Sequence, residues 1–218
     1  QIAHMSDDWA RSPAKPTWLF EGRYEGYWKN NYKPGDWGEW QIRQQAYQTV
    51  LSGAFGHTYG HERIFGFGKD GANWREFMDT PGARSMTHLA KVMNGFGPGD
   101  VLNRVPDQAL LVGDQGKAER ARSNWVGAAR TASGRQALFY SASGRPMRVK
   151  MEALAAGKMF AWWFNPRSGK WNVDGNETRE QKFFTKDLAS GPGSGEREFV
   201  PPTSGDGQDW LLIVSAGE

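Results

Sequence analysis

Residues 15–25 read Lys15-Pro-Thr-Trp-Leu-Phe-Glu-Gly-Arg-Tyr-Glu25, and this stretch decides the fold. Its apolar run at 17–20 lies between a proline and a glycine, a pattern that predicts a short buried strand. Side chains alternate between the two faces of a strand, so Glu21 shares a face with Leu19. The stretch therefore places a carboxylate at the carboxyl end of a predicted strand.

A helix is predicted after the loop at 26–37. Asp36 is a suitable N-cap, and Glu39 three residues later completes the pattern of a capping box. Gly53 is expected to end the helix, because glycine is common just beyond a helix end. The apolar positions at helical spacing are Ala46, Tyr47, Val50 and Leu51.

A second strand and a second helix follow. Residues 54–61 read Ala-Phe-Gly-His-Thr-Tyr-Gly-His, which is a strand pattern, and a further apolar run lies at 64–67. The helix runs from about residue 80 to 94, with Thr80 as N-cap and Pro81 at the first helical position. Its predicted apolar face comprises Met86, Leu89, Ala90 and Met93.

The order strand–helix–strand–helix is typical of parallel βαβ units. A parallel sheet needs several strands with both faces covered, and a (β/α)8 barrel needs roughly 250 residues. Two units are too few for either. We therefore expect residues 1–100 to be the carboxyl-terminal part of a barrel, and residues 1–12 to be the tail of a helix or loop of that larger unit.

The second half of the sequence has a different character. A glycine- and proline-rich cluster at 96–100 precedes a predicted linker at 101–108. From residue 109 onward seven or eight short apolar runs are separated by turns, which favours an antiparallel β-sandwich over 109–218. The predicted fold class is thus α/β plus all-β, a barrel remnant followed by a sandwich. The predicted strands are 109–112, 125–131, 136–141, 147–151, 158–164, 183–185, 198–200 and 210–214.

Composition excludes several classes of protein and site. The 218 residues include no cysteine, which excludes disulfides, thiolate metal sites and a cysteine nucleophile. A net charge of +3 without a basic tail gives no reason to expect a nucleic-acid partner. A mean hydropathy of −0.70, with no apolar run near ~18 residues, argues against a membrane span. Eleven tryptophans fit either a sugar-binding surface or an aromatic core.

Glu21 is the sharpest candidate for catalysis. In a barrel, the carboxyl ends of the strands carry the active site, so a carboxylate there points to chemistry. Glycosidases use two such carboxyl groups. The equally weighted alternative is that Glu21 forms an ion pair with Arg23 or Arg63.

The histidines of the second predicted strand suggest a binding site. His57, Tyr59 and His61 would share one face, where they could bond sugar hydroxyls. The alternative is a half-buried histidine with structural partners. A zinc site is disfavoured because the zincin pattern puts Glu directly after the first His, where this chain has Thr58. We predict no metal and no cofactor.

The loop after the first strand is crowded with aromatic residues. On the active face of a barrel these rings would form a sugar platform, or they could anchor a long loop. We predict that Arg23, Tyr24, Glu25 and Trp28 bind substrate. The aromatic residues of this region are Tyr24, Tyr27, Trp28, Tyr32, Trp37 and Trp40.

The chain resembles the apiosidase-like glycoside hydrolases. In that family a (β/α)8 catalytic domain is followed by a small β-sandwich described as a collagen-binding domain. The similarity covers nearly the whole chain, and its most specific part is Gly56-His-Thr-Tyr-Gly-His61. The other matching segments are Lys15-Pro16, Glu21, Arg23-Tyr-Glu25, Ala46-Tyr-Gln-Thr-Val-Leu-Ser-Gly53, Pro81-Gly-Ala83 and Asp209-Trp-Leu-Leu-Ile-Val214.

The resemblance implies roles for these residues. Glu21 would be one catalytic carboxylate at the end of the seventh barrel strand, and His57, Tyr59 and His61 would line the sugar subsite on the eighth. The partner carboxylate would be an aspartate from an earlier strand. Family members tend to read Asp-Gly-Glu-Pro around the glutamate, whereas this chain reads Leu19-Phe-Glu-Gly22, so the resemblance does not fix the sugar.

We therefore expect a glycoside hydrolase fragment that cleaves a plant or bacterial polysaccharide by a two-carboxylate mechanism, in a secreted or periplasmic protein. The expected partners are the polysaccharide or oligosaccharide substrate and the missing amino-terminal barrel segment, from the same parent chain or a second chain. No nucleic-acid or membrane partner is expected. The alternative is a non-catalytic carbohydrate- or matrix-binding module with a structural barrel remnant. A further option is that the sandwich only braces the barrel.

Overall fold

The structure is a computed structural model that describes residues 2–13, 15–27, 37–69, 71–95, 104–119, 122–173, 176–178 and 185–216. It has mixed α/β architecture, with four α-helices, three short 3-10 helices and thirteen strands in these ranges. The helices are α1 (Ile2–Trp9), α2 (Glu39–Leu51), α3 (Glu62–Phe65) and α4 (Pro81–Asn94).

The first two strands are parallel, as the sequence predicts. β1 (Trp18–Leu19) pairs with β2 (Gly56–His57), and α2 forms the crossover between them. Leu19 lies opposite His57 at the end of this pairing, so Glu21 lies two residues beyond the carboxyl end of β1. This pair forms a small sheet of its own among the described residues.

The helix starts follow local signals only in part. α4 begins as predicted, with the Thr80 hydroxyl accepting from the amide of Ala83 at 3.3 Å. α2 begins at Glu39, after the cap residue Gly38, so Glu39 is not the third residue of a helix capped by Asp36, which lies outside the described residues. The side chain of Gln41 supplies half of a capping box by accepting from the amide of Gly38 at 3.0 Å.

Two apolar features of this half need comment, and the second corrects a prediction. The run at 64–67 belongs partly to helix α3, because the His61 side chain caps that helix by accepting from the Arg63 amide at 3.1 Å. On α4 the sequence pattern predicts Ala90 in the core, but Ala90 is exposed and Val92 is buried instead. The stripe on α2 is confirmed, since all four of its apolar side chains are buried.

Most of the second half forms a large antiparallel sheet of eight strands. Its order is β10-β9-β8-β13-β6-β5-β3, with β11 pairing β8. Arg104–Pro106 is the edge strand β3, so the predicted linker at 101–108 partly belongs to the sheet. The strands are β3 (Arg104–Pro106), β5 (Val126–Thr131), β6 (Gln136–Ser141), β8 (Gly157–Asn165), β9 (Lys170–Val173), β10 (Asn176–Thr178), β11 (Thr185–Ser190) and β13 (Trp210–Ala216).

A second antiparallel sheet covers one face of the large one. It has the order β12-β7-β4, formed by Glu196–Phe199, Met147–Lys150 and Leu111–Val112. Phe139 and Trp163 of the large sheet pack in one apolar core with Val149 of the small sheet. We call residues 104–216 the two-sheet unit.

The opposite face of the large sheet packs on α2 and α4. Strand β13 shows the alternation, because Trp210, Leu212 and Val214 point to the small sheet. Leu211 and Ile213 lie in a second core with Tyr47 and Leu89 from the helices. The Trp162–Trp163 doublet is divided in the same way, and both rings are buried. The molecule therefore has three layers: small sheet, large sheet and helices.

The junction between helices and large sheet also contains a buried ion pair. Arg43 of α2 donates from Nε to Asp209 Oδ2 at 3.0 Å and from Nη2 to Oδ1 at 3.0 Å. The two side chains are 1% and 0% exposed. Tyr140 completes the cluster by donating its hydroxyl to Asp209 at 3.0 Å. The charges lie inside the junction, where an unpaired partner would be costly.

Arg104 fastens the edge strand β3 to the end of α2. Its guanidinium donates to the carbonyl oxygen of Val50 at 3.0 Å and to that of Ala54 at 2.9 Å. Val50 lies in the last turn of α2, where helix carbonyls have no partner inside the helix, and Ala54 lies just beyond the helix end, so the side chain of Arg104 caps α2 and holds the segment after it. Burial lowers the pKa of Arg104 to about 10.

Candidate active site

The carboxylate of Glu21 is exposed and oriented by a tyrosine. Tyr24 donates its hydroxyl to Glu21 Oε1 at 2.5 Å. This hydrogen bond, with a smaller contribution from burial, raises the pKa of Tyr24 to about 12. One oxygen of Glu21 is therefore held by a neutral phenol at neutral pH.

Glu21 borders two cavities. The larger, of about 1060 Å³, extends from Glu21 along α2 towards α1 and the loop at Ala118 and Glu119. The smaller, of about 350 Å³, also includes Phe20, Tyr24, Thr58, Tyr59, Gly60, His61, Ile64 and Phe65. Both volumes are in the range of ligand pockets.

Gln45 of α2 holds the segment that carries Glu21. Its Oε1 accepts from the amide of Arg23 at 2.9 Å, and its Nε2 lies 3.3 Å from the carbonyl oxygen of the same residue. A Cβ at Gly22 would come within 2.2 Å of Gln45 Nε2, so a side chain there would displace the end of Gln45 from its bonds to Arg23. The backbone after Glu21 is thus fixed against a buried helix.

His57 is neutral and faces α2. Gln45 Nε2 lies 3.0 Å from His57 Nε2, and since an amide nitrogen only donates, the imidazole accepts there and carries its proton on Nδ1. Nδ1 is buried, and no partner for it lies in the described parts of the chain. Burial lowers the pKa of His57 to about 4. His57 borders neither cavity.

Glu25 belongs to a separate buried cluster at the start of α4. Its carboxylate accepts from the hydroxyls of Tyr59 and Thr80, both at 2.6 Å, and from the amide of Gly82 at 3.2 Å. A negative charge is stabilised at a helix amino terminus. This arrangement favours a structural role for Glu25 over the predicted substrate contact. Burial and the bond to Glu25 raise the pKa of Tyr59.

His61 is a cap residue rather than an exposed ligand. It is buried, accepts the Arg63 amide on Nδ1, and stacks on Phe77 with ring centres 4.9 Å apart. Burial lowers its pKa, an effect that Glu25 partly opposes. The structure thus brings Tyr59 and His61 to the smaller cavity with Glu21 and places His57 elsewhere, so the three do not form one surface.

The aromatic residues in and around the loop after β1 have two kinds of surroundings. Tyr24, Tyr27 and Trp37 border the larger cavity, and the Arg23 guanidinium stacks over Tyr27 at 4.8 Å from its centre. Trp40 instead donates from Nε1 to the carbonyl oxygen of Ala142 at 2.8 Å, which ties α2 to the two-sheet unit. Two residues of the loop, Trp28 and Tyr32, lie outside the described residues.

Sequence reasoning missed Gln45, although the chain carries a signal for it. Gln41, Gln44, Gln45 and Gln48 recur at helical spacing along α2, and all four border the larger cavity. Such a polar stripe on a helix that is buried nearly all round indicates specific partners. In the described ranges no group of three or more His, Asp or Glu side chains could hold a metal ion.

Comparison with known families decides the classification. Residues 1–97 match the family model described as "Apiosidase-like, catalytic domain", and residues 105–215 match the one described as "Putative collagen-binding domain of a collagenase". Residues 1–97 therefore belong to the apiosidase-like glycoside hydrolase family, and residues 105–215 belong to the family of the second model. No curated protein sequence matches it.

Two solved structures resemble this apiosidase-like chain over 98% of its length, each with 26% sequence identity and a TM-score of 0.79. One is described as a glycoside hydrolase, and the other is a glycoside hydrolase family 5 protein from Bacteroides vulgatus. The chain covers 45% and 44% of these proteins, less than half of either. None of the helices in the described ranges has the length and apolar character to span a bilayer.

Proposed function

We propose that this chain supplies the carboxyl-terminal part of a (β/α)8 glycosidase, with Glu21 as one of two catalytic carboxylates. The observation that carries the proposal is the position of Glu21, two residues beyond the carboxyl end of a parallel strand and bordering two cavities. Barrel enzymes have their catalytic groups at that end of the strands. In this proposal β1 and β2 are the seventh and eighth barrel strands, and 101–108 connects to the sandwich.

The open face of β1 and β2 supports the barrel. The ring of Trp18 contacts that of Phe20, with centres 5.4 Å apart, and that of Phe55, with centres 5.8 Å apart. Trp18, Phe20 and Phe55 are 46%, 71% and 53% exposed. We call these three residues the open aromatic face. Parallel sheets occur with both faces covered, so this face fits the remaining strands of a barrel, from the same parent chain or a second chain.

The proposed chemistry needs a second carboxylate, which we expect to be an aspartate of an earlier strand. Glu21 would act as nucleophile or as acid/base, with Tyr24 fixing Oε1 and leaving Oε2 for the reaction. A separation of about 5–5.5 Å between the carboxyl groups would give retention, and about 6.5–9.5 Å inversion. The proposed substrate is a plant or bacterial polysaccharide outside the cell. Neither a metal nor a cofactor enters this mechanism.

The test is hydrolysis of aryl glycosides by a protein in which the remaining barrel strands are supplied, as a fusion or as a second chain. Glu21→Gln should lower turnover by at least about 100-fold, because catalytic carboxylates contribute that much or more. The control Glu152→Gln changes an exposed carboxylate of the two-sheet unit and should leave turnover unchanged. A loss of less than about tenfold in Glu21→Gln would remove Glu21 from the chemistry.

The second candidate function is a non-catalytic binding module. It is favoured because residues 105–215 match a family described as a collagen-binding domain. Collagen pull-down and glycan-array binding by the whole chain test it. Residues 109–218 alone are unsuitable, because removing the helices would expose the core around Leu211 and Ile213. If the whole chain binds neither collagen nor any glycan in these two assays, this candidate is rejected.

A further inference from the structure

A second group of exposed aromatic side chains lies on the segment that follows β2. Phe65 and Phe67 are 65% and 72% exposed and stand two residues apart, so their Cα atoms lie within about 7 Å. Both follow the carboxyl end of β2, in α3 and the turn after it. Single exposed apolar residues are common, but neighbouring large rings beside a cavity mark binding sites.

Phe65 joins this group to the site of Glu21. Its ring centre lies 5.3 Å from that of Tyr24, the residue that holds Glu21 Oε1. Phe65 also borders both cavities that Glu21 borders. A ligand bound near Glu21 would therefore meet this ring.

Phe67 is held in a conformation that bulky residues rarely adopt. Its φ is +47°, in the left-handed region, and its amide donates to the carbonyl oxygen of Ile64 at 3.0 Å. Its ring meets that of Trp74 edge-on, with centres 5.9 Å apart, and remains largely exposed. Backbone strain that presents a side chain to solvent is typical of binding sites.

Two neighbouring cations complete the surface. Arg75 stacks over Trp74 at 4.2 Å from the ring centre, and Arg63 lies 5.7 Å from the centre of Phe77. Guanidinium groups at the edge of an aromatic surface can donate to sugar hydroxyls while the rings contact the apolar face of the sugar. Additional barrel strands would cover the open aromatic face on β1 and β2, whereas Phe65 and Phe67 lie beyond the strand end.

We infer that Phe65 and Phe67 form an aromatic subsite for a pyranose ring of a bound glycan, next to Glu21. The ligand class is a β-linked glycan whose rings present axial C–H groups, because those polarised hydrogens are attracted to the negative face of an aromatic ring. This inference rests on the proposed function for the identity of the ligand but on separate residues for its binding.

The experiment measures binding of cellohexaose and xylohexaose to the 218-residue chain by saturation-transfer difference NMR. We expect the strongest transfer to the axial H1, H3 and H5 protons. Phe65→Ala and Phe67→Ala should each weaken binding by about tenfold. The matched control Phe55→Ala, an exposed ring of the open aromatic face, should change the Kd by less than about twofold.

Two further variants separate binding from folding and from catalysis. Phe67→Gly should raise Tm by about 2 °C, since glycine tolerates the positive φ, and should still weaken binding. Glu21→Gln should bind within about threefold of the parent. No binding of either hexasaccharide, equal losses in Phe55→Ala, or unchanged binding in Phe65→Ala and Phe67→Ala would overturn the subsite. Loss of hydrolysis in Glu21→Gln with unchanged binding in both Phe variants would reject the subsite alone.

Discussion

The face of the large sheet that carries Leu211 and Ile213 is buried under α2 and α4, whereas the face of β1 and β2 that carries Trp18 and Phe55 is open. The buried junction contains a buried ion pair and stacked tyrosines, whereas the open face contains aromatic rings that contact Trp18 and remain about half exposed or more. The difference indicates that helices α2 and α4 form one body with the two-sheet unit. The open aromatic face on β1 and β2 is instead left uncovered by the described residues of this chain. Gln45 links the two regions, because α2 holds the backbone beside Glu21.

The largest effect is expected at the ion pair of the junction. Asp209→Ala should destabilise the chain by about 3 to 5 kcal/mol, because it leaves Arg43 buried and unpaired. Urea unfolding measures the loss. Asp206→Ala is the control, since its pair with Arg122 is 63% and 76% exposed and should contribute less than about 1 kcal/mol.

A double variant sharpens the same test. Arg43→Met combined with Asp209→Leu removes both charges and should recover most of the stability lost in Asp209→Ala. If Asp209→Ala and Asp206→Ala lower the free energy of unfolding equally, water reaches the Arg43–Asp209 pair. The junction would then not be the buried region described here.

A smaller effect is expected from His57, at the boundary between the two regions. Its pKa is about 4 in the folded chain and about 6.5 in the unfolded chain, so between these values only the unfolded chain binds the proton. Stability is therefore full above about pH 6.5 and falls by roughly 2 to 3 kcal/mol as the pH drops to about 4.

The variant His57→Gln should reduce that pH dependence, and His61, whose pKa is also lowered, should leave a residual slope. Urea unfolding at several values from pH 7 to 4.5 gives the slopes, with the exposed His4→Gln as control. Identical slopes in the parent and in His57→Gln would show that His57 is protonated in the folded chain.

The stacked tyrosines of the junction offer a matched pair of conservative changes. Tyr47 and Tyr140 are parallel with ring centres 4.5 Å apart, but only Tyr140 has a hydroxyl partner among the described residues. Tyr140→Phe should cost about 1.5 kcal/mol, the value of a bond to a charged acceptor, and Tyr47→Phe should be neutral or stabilising. The reverse order in chemical denaturation would contradict the hydrogen-bond assignment.

The smallest effect is expected at the open aromatic face. Phe55→Ala should change the stability of this chain by less than about 0.5 kcal/mol, because the ring has few partners. When the remaining barrel strands are supplied, the same change should cost about 3 kcal/mol as the ring becomes core. An unchanged small cost in the completed protein would show that barrel strands do not cover this face.

Elements with strong local signals were predictable from the sequence. β6 has the predicted ends, and α4 has the predicted cap, because alternation and the Thr-Pro pair act over a few residues. Glycine-containing turns were harder. Ala132-Ser-Gly-Arg135 joins neighbouring strands β5 and β6, but the identical Ala142-Ser-Gly-Arg145 leads from the large sheet to the small one.

The features that the sequence did not predict depend on contacts between residues that are distant in sequence. Arg104–Pro106 has linker composition, yet it becomes a strand because β5 and the end of α2 bind it. Glu21 is a candidate that the sequence predicts from its place after a strand. The separation of His57 from Tyr59 instead depends on their contacts with Gln45 and Thr80. No periodicity within one segment encodes such pairs.

Native-state hydrogen exchange tests the central claim most directly, because it measures whether the helices and the two-sheet unit open together. If they form one body, the slowest amides of α2 and α4 should exchange with the same free energy as those of β6 and β13, within about 1 kcal/mol. Asp209→Ala should lower the exchange free energies of α2, α4, β6 and β13 by the same amount. Exchange of α2 and α4 at a free energy lower by about 2 kcal/mol or more, with β6 and β13 unaffected, would contradict the account.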